Sequence, residues 1–213
     1  MQYWTECREF FGQFRRQYHT TGSILPSSRA LGRALCRPLR SAKAPRSILE
    51  VGPGTGAVTA EIVRNLRAGD RLDIVEINAD FVSVIKRRFE QDDEFRRRAG
   101  QTRVIHAPLQ DHPGEAVYDF MISGLPLNNF SLDLVDCIFR SYRRLLKPEG
   151  ILSYFEYLAI RDLKRPLVPR ADRERLAALG AYLDDKIRSF QVAEDVVIWN
   201  VPPAVARHFR FGL

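Results

Sequence analysis

The sequence predicts an α/β protein: a mostly parallel, seven-stranded sheet with helices on both faces, plus an amphipathic helical arm at the N-terminus. Three observations predict it. Residues 48–56, ILEVGPGTG, run from a short apolar strand into three alternating glycines. Stretches of strand and helix periodicity then alternate through most of the chain, as in a parallel sheet covered on both sides. An acid, Glu76 of DIVEIN, stands twenty residues after the last of those glycines, at the end of the next strand.

In order, strands are predicted near 47–51, 71–75, 103–106, 118–123 and 150–156, with helices near 56–67, 79–91 and 131–146. Val58, Ile62, Val63 and Leu66 give the first helix its apolar face, and Asp80 supports the first turn of the second. Ser131 reads as an N-cap before Leu132, Leu134, Val135, Ile138, Tyr142 and Leu145, and Lys147-Pro148-Glu149-Gly150 turns into the fifth strand. The tail predicts a helix near 172–185 and strands near 188–192 and 195–200. The basic, two-proline segment 161–175 reads as a surface loop beside the mouth of the sheet.

The glycine loop narrows the ligand. Dinucleotide loops follow G-x-G-x-x-G and seat a pyrophosphate on the helix N-terminus. Here Gly52, Gly54 and Gly56 follow G-x-G-x-G, no GK[ST] comes after them, and Glu50 sits at the mouth of the turn. A carboxylate there repels pyrophosphate and suits a ligand carrying an ammonium and a sulfonium. Glu76 stands where an acid takes both ribose hydroxyls. This pattern resembles the class I methyltransferases, which bind S-adenosylmethionine.

A chain of 213 residues suits one catalytic domain with a full core, expected at 47–213 after an arm at 1–46. Cys7, Cys36 and Cys137 give neither a disulfide framework nor a zinc pattern and read as thiols in a reducing cytoplasm. The four histidines show no metal spacing, so no metal is expected. No apolar run approaches the roughly 18–20 residues of a spanning helix, and no signal peptide opens the chain. The formal charge of +7 resides before residue 48, where nine basic residues face Glu6 and Glu9. Such an asymmetry points to an anionic partner, a lipid surface or a nucleic acid. Tyr3, Trp4, Cys7, Phe10, Phe11, Phe14 and Tyr18 form one helical stripe, and Ser27 or Ser28 caps a second helix whose Arg29, Arg33 and Arg37 make a basic row ending at Pro38. An aromatic face flanked by arginines is the composition of an interfacial helix.

The fourth strand, YDFMIS, leads into SGLPLNNF at 123–130, a loop that borders the transferred methyl if ligands sit beyond the carboxyl ends of the strands. Adenine-N6 methyltransferases carry NLPY or [ND]PP[YF] there; this loop begins with serine and lacks the aromatic after proline. Together with the aromatic N-terminal helix, TTGSILPSSRAL at 20–31, ILEVGPGTG, LLKPEGILSYFEY and WNVPPAVARHFR at 199–210, the chain resembles the bacterial phospholipid N-methyltransferases. It is also similar to the rRNA adenine dimethyltransferases, so methylation of adenine in RNA or DNA is the alternative.

The resemblance implies a Rossmann-like class I methyltransferase that carries methyl groups from S-adenosylmethionine, leaving S-adenosylhomocysteine, to phosphatidylethanolamine and then to its mono- and dimethyl derivatives, toward phosphatidylcholine. It implies a cytoplasmic enzyme held peripherally on the inner face of the cell membrane, with residues 1–46 docking on anionic lipid and closing over the site; nucleic acid is not the expected partner. Gly52, Gly54 and Gly56 would line the cofactor, Glu50 would lie near its amino-acid end, and Glu76 with Ile77 would hold the ribose. Ser123, Gly124 and Leu125 would face the sulfonium, and Gly22 and Ser23 would close from the arm. After the third strand come Ala107, Pro108 and Leu109 in place of the usual Asp, leaving adenine to a backbone carbonyl, Gln110 or Asp111. Catalysis would involve Tyr18, Ser123 and Asn128. Tyr18 would orient or relay the amine proton. Tyr154, Tyr157 and Trp199 are further candidates for a cation pocket. An arginine from 161–175, or Arg207, would take the lipid phosphate.

Overall fold

The computed structural model describes residues 28–43, 45–158 and 170–212, without the side chains of 170–173 and 175. Its elements in chain order are α1 (Arg29–Leu35), α2 (Arg37–Ser41), β1 (Ser47–Val51), α3 (Ala57–Asn65), β2 (Arg71–Glu76), α4 (Ala79–Gln91), α5 (Asp93–Arg96), β3 (Thr102–His106), β4 (Tyr118–Ser123), α6 (Leu132–Leu145), β5 (Leu146–Tyr157), α7 (Arg170–Phe190), β6 (Gln191–Val197) and β7 (Ala204–Phe209). The seven strands form one sheet ordered β3-β2-β1-β4-β5-β7-β6. β1 to β5 pair in parallel, and β7 runs antiparallel to both β5 and β6.

Helices on both faces explain the almost continuously apolar strands. Successive side chains alternate between two cores. Leu49, Met121 and Tyr154 pack under α6 and α7 on one face. Ile48, Ile122 and Phe155 pack under α1, α3 and α4 on the other. Ser131 caps α6 as expected, its side chain accepting from Leu134 N–H. At α4 the N-cap is Asn78, with Asp80 in the first turn.

Several expectations needed correction. Of the strand expected at 195–200, only Asp195, Val196 and Val197 belong to a strand, as the end of β6; Ile198–Pro203 turns, and the last strand is β7, which holds Arg207 and His208. Those polar residues hid β7 because strand periodicity registers apolar alternation, whereas here His208 is buried and Arg207 partly buried through polar partners. The helix expected at 172–185 extends through Phe190, so β6 starts only at Gln191. The second arm helix breaks at Cys36, and Pro38 lies in the first turn of α2, where its missing N–H is harmless. Cys36 is a buried thiol, but Cys137 is disulfide-bonded, against the expectation of three thiols.

The described part of the 1–46 segment is core structure. Leu31, Leu35 and Leu39 are buried against α3 and the sheet. Arg46, counted with the basic arm, is buried with Asp70. Its guanidinium pairs with that carboxylate and donates to the carbonyls of Leu39 and Asn65, the latter at 2.7 Å. Burial alone would raise Asp70, but the Arg46 side chain and the N–H groups of Arg67 and Arg46 hold it below the ordinary carboxylate range. One arginine thus joins α2, α3 and the entry to β2.

A second polar row crosses the antiparallel extension. Ser153 bonds His208 Nδ1 (2.8 Å), His208 Nε2 bonds Asp195 (3.0 Å), and Asp195 pairs with Arg37 (2.7 Å). Burial lowers His208. The neutral ring, with its proton on Nε2, satisfies both bonds. Ser153 and His208 are each 1% exposed, so this Ser–His–Asp arrangement meets no substrate and serves as a register lock.

Removing one member of a satisfied buried ion pair strands the other. Asp70→Ala should therefore lower unfolding stability by about 3–5 kcal/mol. Arg103→Ala, whose guanidinium is 65% exposed on Asp73, should cost under about 1 kcal/mol. Urea denaturation of the two variants checks the contrast.

Candidate active site

Val51 and Ser123, the last residues of β1 and β4, are direct sheet partners. Gly124 N–H donates to the Val51 carbonyl at 2.8 Å, and Gly52 N–H to the Val75 carbonyl at 3.0 Å. The loops after β1 and β4 then touch at the level of the peptide. A Cβ on Gly124 would overlap the Gly52 carbonyl oxygen, and one on Gly52 would lie 2.6 Å from Leu125 Cδ2. Gly52, Gly54 and Gly56 all take positive φ, at 66°, 56° and 88°. Gly54 faces open space, with nothing within 4 Å of where its Cβ would stand.

Two carboxylates flank this turn. Glu50 is fully buried and accepts from Thr59 Oγ1 at 3.0 Å, while its Oε2 has no hydrogen-bond partner. Burial pushes its carboxyl up to about 8; the Thr59 bond opposes that shift and the nearby Glu76 adds to it. Glu76 is also raised by burial, against hydrogen bonds from the N–H groups of Asn78, Gly54 and Ile77. The Gly54 contact places Glu76 against the glycine turn.

These features fit S-adenosylmethionine. The orphan oxygen of Glu50 suits the ligand's ammonium, the open cradle at Gly54 suits close approach to its backbone, and Glu76 suits the ribose hydroxyls. Past β3, Ala107 N–H donates to the Glu76 carbonyl (3.2 Å), and His106 bonds the Ile77 carbonyl through Nε2 (3.1 Å). Leu109 turns its side chain into the core. Gln110, 6% exposed, keeps both amide atoms unpaired.

The β4 loop is fastened from beneath. The Ser123 hydroxyl is buried, 2.6 Å from the Tyr142 hydroxyl of α6, and accepts Leu125 N–H at 3.3 Å. Burial raises the Tyr142 phenol far above its ordinary value, so it stays protonated as a hydrogen-bonding partner. The hydroxyl expected to act in catalysis is thus committed to the core, and Ser123 positions the loop instead. Sequence reasoning missed Tyr142 because its spacing marked only the apolar face of α6. Leu127 and Phe130, each 1% exposed, anchor the short turn that carries half-buried Asn128.

The aromatic candidates do not converge. Tyr154 is buried between Phe139 and Phe209 and donates to Glu156 at 3.0 Å. Tyr157, three residues on, packs with the opposite core, because the pleat sends odd and even positions to different faces. Trp199 is 83% exposed on the β6–β7 turn. Arg207 is not open to a phosphate: Glu156 (3.0 Å), Glu194 (2.7 Å) and Gln191 (2.7 Å) hold it. Tyr18, Gly22, Ser23 and residues 159–169 lie outside the described residues, and the end of the 161–175 segment starts α7.

A family model described as a methyltransferase domain matches residues 48–150, from β1 into β5. The ornithine lipid N-methyltransferase of Singulisphaera acidiphila is 31% identical over 144 residues, covering 68% of this chain and 74% of that protein. Ribosomal RNA small subunit methyltransferase A of Pseudomonas putida is 34% identical over 99 residues, but these are 46% of this chain and 32% of that enzyme. Among solved structures, the 1,6-didemethyltoxoflavin-N1-methyltransferase of Burkholderia thailandensis, with 1,6-didemethyltoxoflavin and S-adenosylhomocysteine bound, superposes with a TM-score of 0.59 at 18% identity, over 93% of this chain and 85% of that one. With the sheet order, the glycine loop and the acid at the end of β2 in place beside these similarities, the chain belongs to the class I S-adenosylmethionine-dependent methyltransferases.

Proposed function

We propose that this enzyme methylates the primary amine of a membrane lipid headgroup, phosphatidylethanolamine, and then its mono- and dimethyl derivatives, toward phosphatidylcholine. The observation that carries this reading is the similarity to a lipid N-methyltransferase across 68% of the chain. The β4 loop supports it. An adenine acceptor needs an exposed aromatic to stack on, whereas Leu127 and Phe130 of this loop are both buried. The rRNA enzymes are matched over only about a third of their length. The proposed setting is the inner face of the cell membrane, with residues 1–46 contributing to contact with anionic lipid.

When bound, S-adenosylmethionine supplies an electrophilic methyl group. The chain's own work is to position donor and acceptor. Glu50 holds the cationic amino-acid end, Glu76 the ribose and the Gln110 amide the adenine edge. The loop Gly124–Asn128, fixed by Ser123 and Tyr142, offers Asn128 and backbone oxygens to the incoming amine. Tyr18 takes the role of orienting the amine or relaying its proton.

Purified protein with labelled S-adenosylmethionine should label phosphatidylethanolamine vesicles and leave RNA unlabelled; the reverse outcome would replace lipid by nucleic acid as the substrate. Glu50 holds a proton up to about pH 8 without ligand. An ammonium beside it favours the carboxylate, so cofactor binding at pH 7 should release close to one proton and tighten as pH rises toward 8. Calorimetry with S-adenosylhomocysteine in two buffers of different ionisation heat measures this; Glu50→Gln should abolish the release and weaken binding about tenfold or more. Tyr142→Phe removes one buried hydrogen bond beneath the acceptor loop. It should lower kcat by about 5- to 30-fold while KM for S-adenosylmethionine stays within about twofold. An unchanged kcat would remove Tyr142 from the positioning role.

A further inference from the structure

Beyond the catalytic residues, the described surface gathers five of its seven large exposed apolar side chains at one place; Val117 and Val192 stand apart. Val196 (59% exposed), Ile198 (63%), Trp199 (83%) and Val201 (75%) line the end of β6 and the turn into β7, with Leu158 (42%) beside them at the end of β5. From Val196 to Ala206 the sequence contains no charged residue. Single exposed apolar residues are ordinary, whereas a contiguous group marks a contact surface.

The turn holds these side chains outward by a built-in device. Asn200 points inward, 3% exposed; its Oδ1 accepts Ser28 N–H at 3.0 Å and its Nδ2 donates to the Pro202 carbonyl at 2.7 Å. The Pro203 carbonyl accepts Leu158 N–H at 2.9 Å. The apolar tip is therefore fastened to both α1 and β5.

Its position relates it to the reaction. Ile122 of β4 pairs with Ser153, so Ser123 at the mouth of the site is level with Tyr154, whereas Tyr157 and Val197 both pair with Ala204. The tip thus stands about 10 Å beyond the end of β4, two to three strands or roughly 10–15 Å to one side, on the edge of the sheet where the methyl is delivered. The charge around it suits an anionic surface. Glu194 and Asp195, the nearest acids in sequence, are engaged by Arg207 and by His208 with Arg37. Arg29 and Arg33 of α1, which begins at the Ser28–Asn200 bond, are exposed and without ion-pair partners among the described residues.

We propose that the β6–β7 tip inserts Ile198, Trp199 and Val201 into the headgroup region of an anionic bilayer, with Arg29 and Arg33 over the lipid phosphates, and so presents the active-site rim to lipid headgroups. This rests on the reading of the enzyme as a lipid methyltransferase. Tryptophan is enriched at the membrane interface because its ring is apolar and its N–H still reaches polar groups. The tip is separate in sequence from the aromatic stripe of residues 3–18.

The test uses the full chain with Trp4→Phe, which leaves Trp199 as the single tryptophan. With vesicles of phosphatidylethanolamine and phosphatidylglycerol, Trp199 fluorescence should shift to the blue and be quenched by brominated acyl chains. In the otherwise native chain, Ile198→Ser with Trp199→Ser should weaken co-sedimentation with those vesicles about tenfold or more. The pair should leave the unfolding midpoint and S-adenosylhomocysteine affinity unchanged, since both side chains are solvent-exposed. Absent quenching together with unchanged co-sedimentation would overturn the tip as a docking surface, even if lipid is methylated. Quenching and weakened co-sedimentation in a protein that methylates no lipid would sustain the docking surface and overturn the substrate reading. Self-association without vesicles that the double variant abolishes would make the tip a contact between copies and overturn the bilayer as its occupant.

Discussion

The site depends on one steric constraint: the loops leaving β1 and β4 meet backbone to backbone, with Gly124 against the Gly52 carbonyl and Leu125 against the face of Gly52. Neighbouring parallel strands are about 5 Å apart. Two loops at that spacing can border a single ligand only if neither places a side chain between them. The hydrogen bond from Gly124 N–H to the Val51 carbonyl continues the β1–β4 pairing past the end of the sheet. The two loops thus share one rigid frame, and Tyr142 secures it from below through Ser123.

Two buried acids show how opposite ends of the same sheet serve different purposes. Asp70, before β2, receives a guanidinium and two backbone N–H groups, and its charge is well satisfied where it stands. Glu50, in β1 near its carboxyl end, has one hydroxyl and an oxygen without a partner. A carboxyl so poorly solvated keeps its proton near neutral pH, and a cation beside it would favour the ionised form. The amino end of the sheet is arranged for stability and the carboxyl end for binding.

The sequence carried the parts of this design that depend on local pattern. The glycine turn, Glu76 at the end of β2, the Ser131 cap and the first four strands were readable because each follows from residue spacing within a short window. What escaped it depends on residues meeting across the sheet. β7 was hidden because Arg207 and His208 look like loop residues until Glu156, Glu194 and Ser153 are placed beside them. Arg46 looked like part of a basic arm until Asp70 lay against it, 24 positions away. Tyr154 and Tyr157 could be named as ring candidates, but only the pleat showed that they serve opposite cores.

The bonds from Ser28 to Asn200 and from Leu158 to Pro203 also bear on how such an enzyme diversifies. Ser28 and Leu158 are thereby held to one turn, at a corner of the described body away from the β1–β2 frame that supports the glycine turn. Both bonds run through backbone atoms and the buried Asn200 side chain, so the outward residues of that turn can change while the sheet beneath keeps its register.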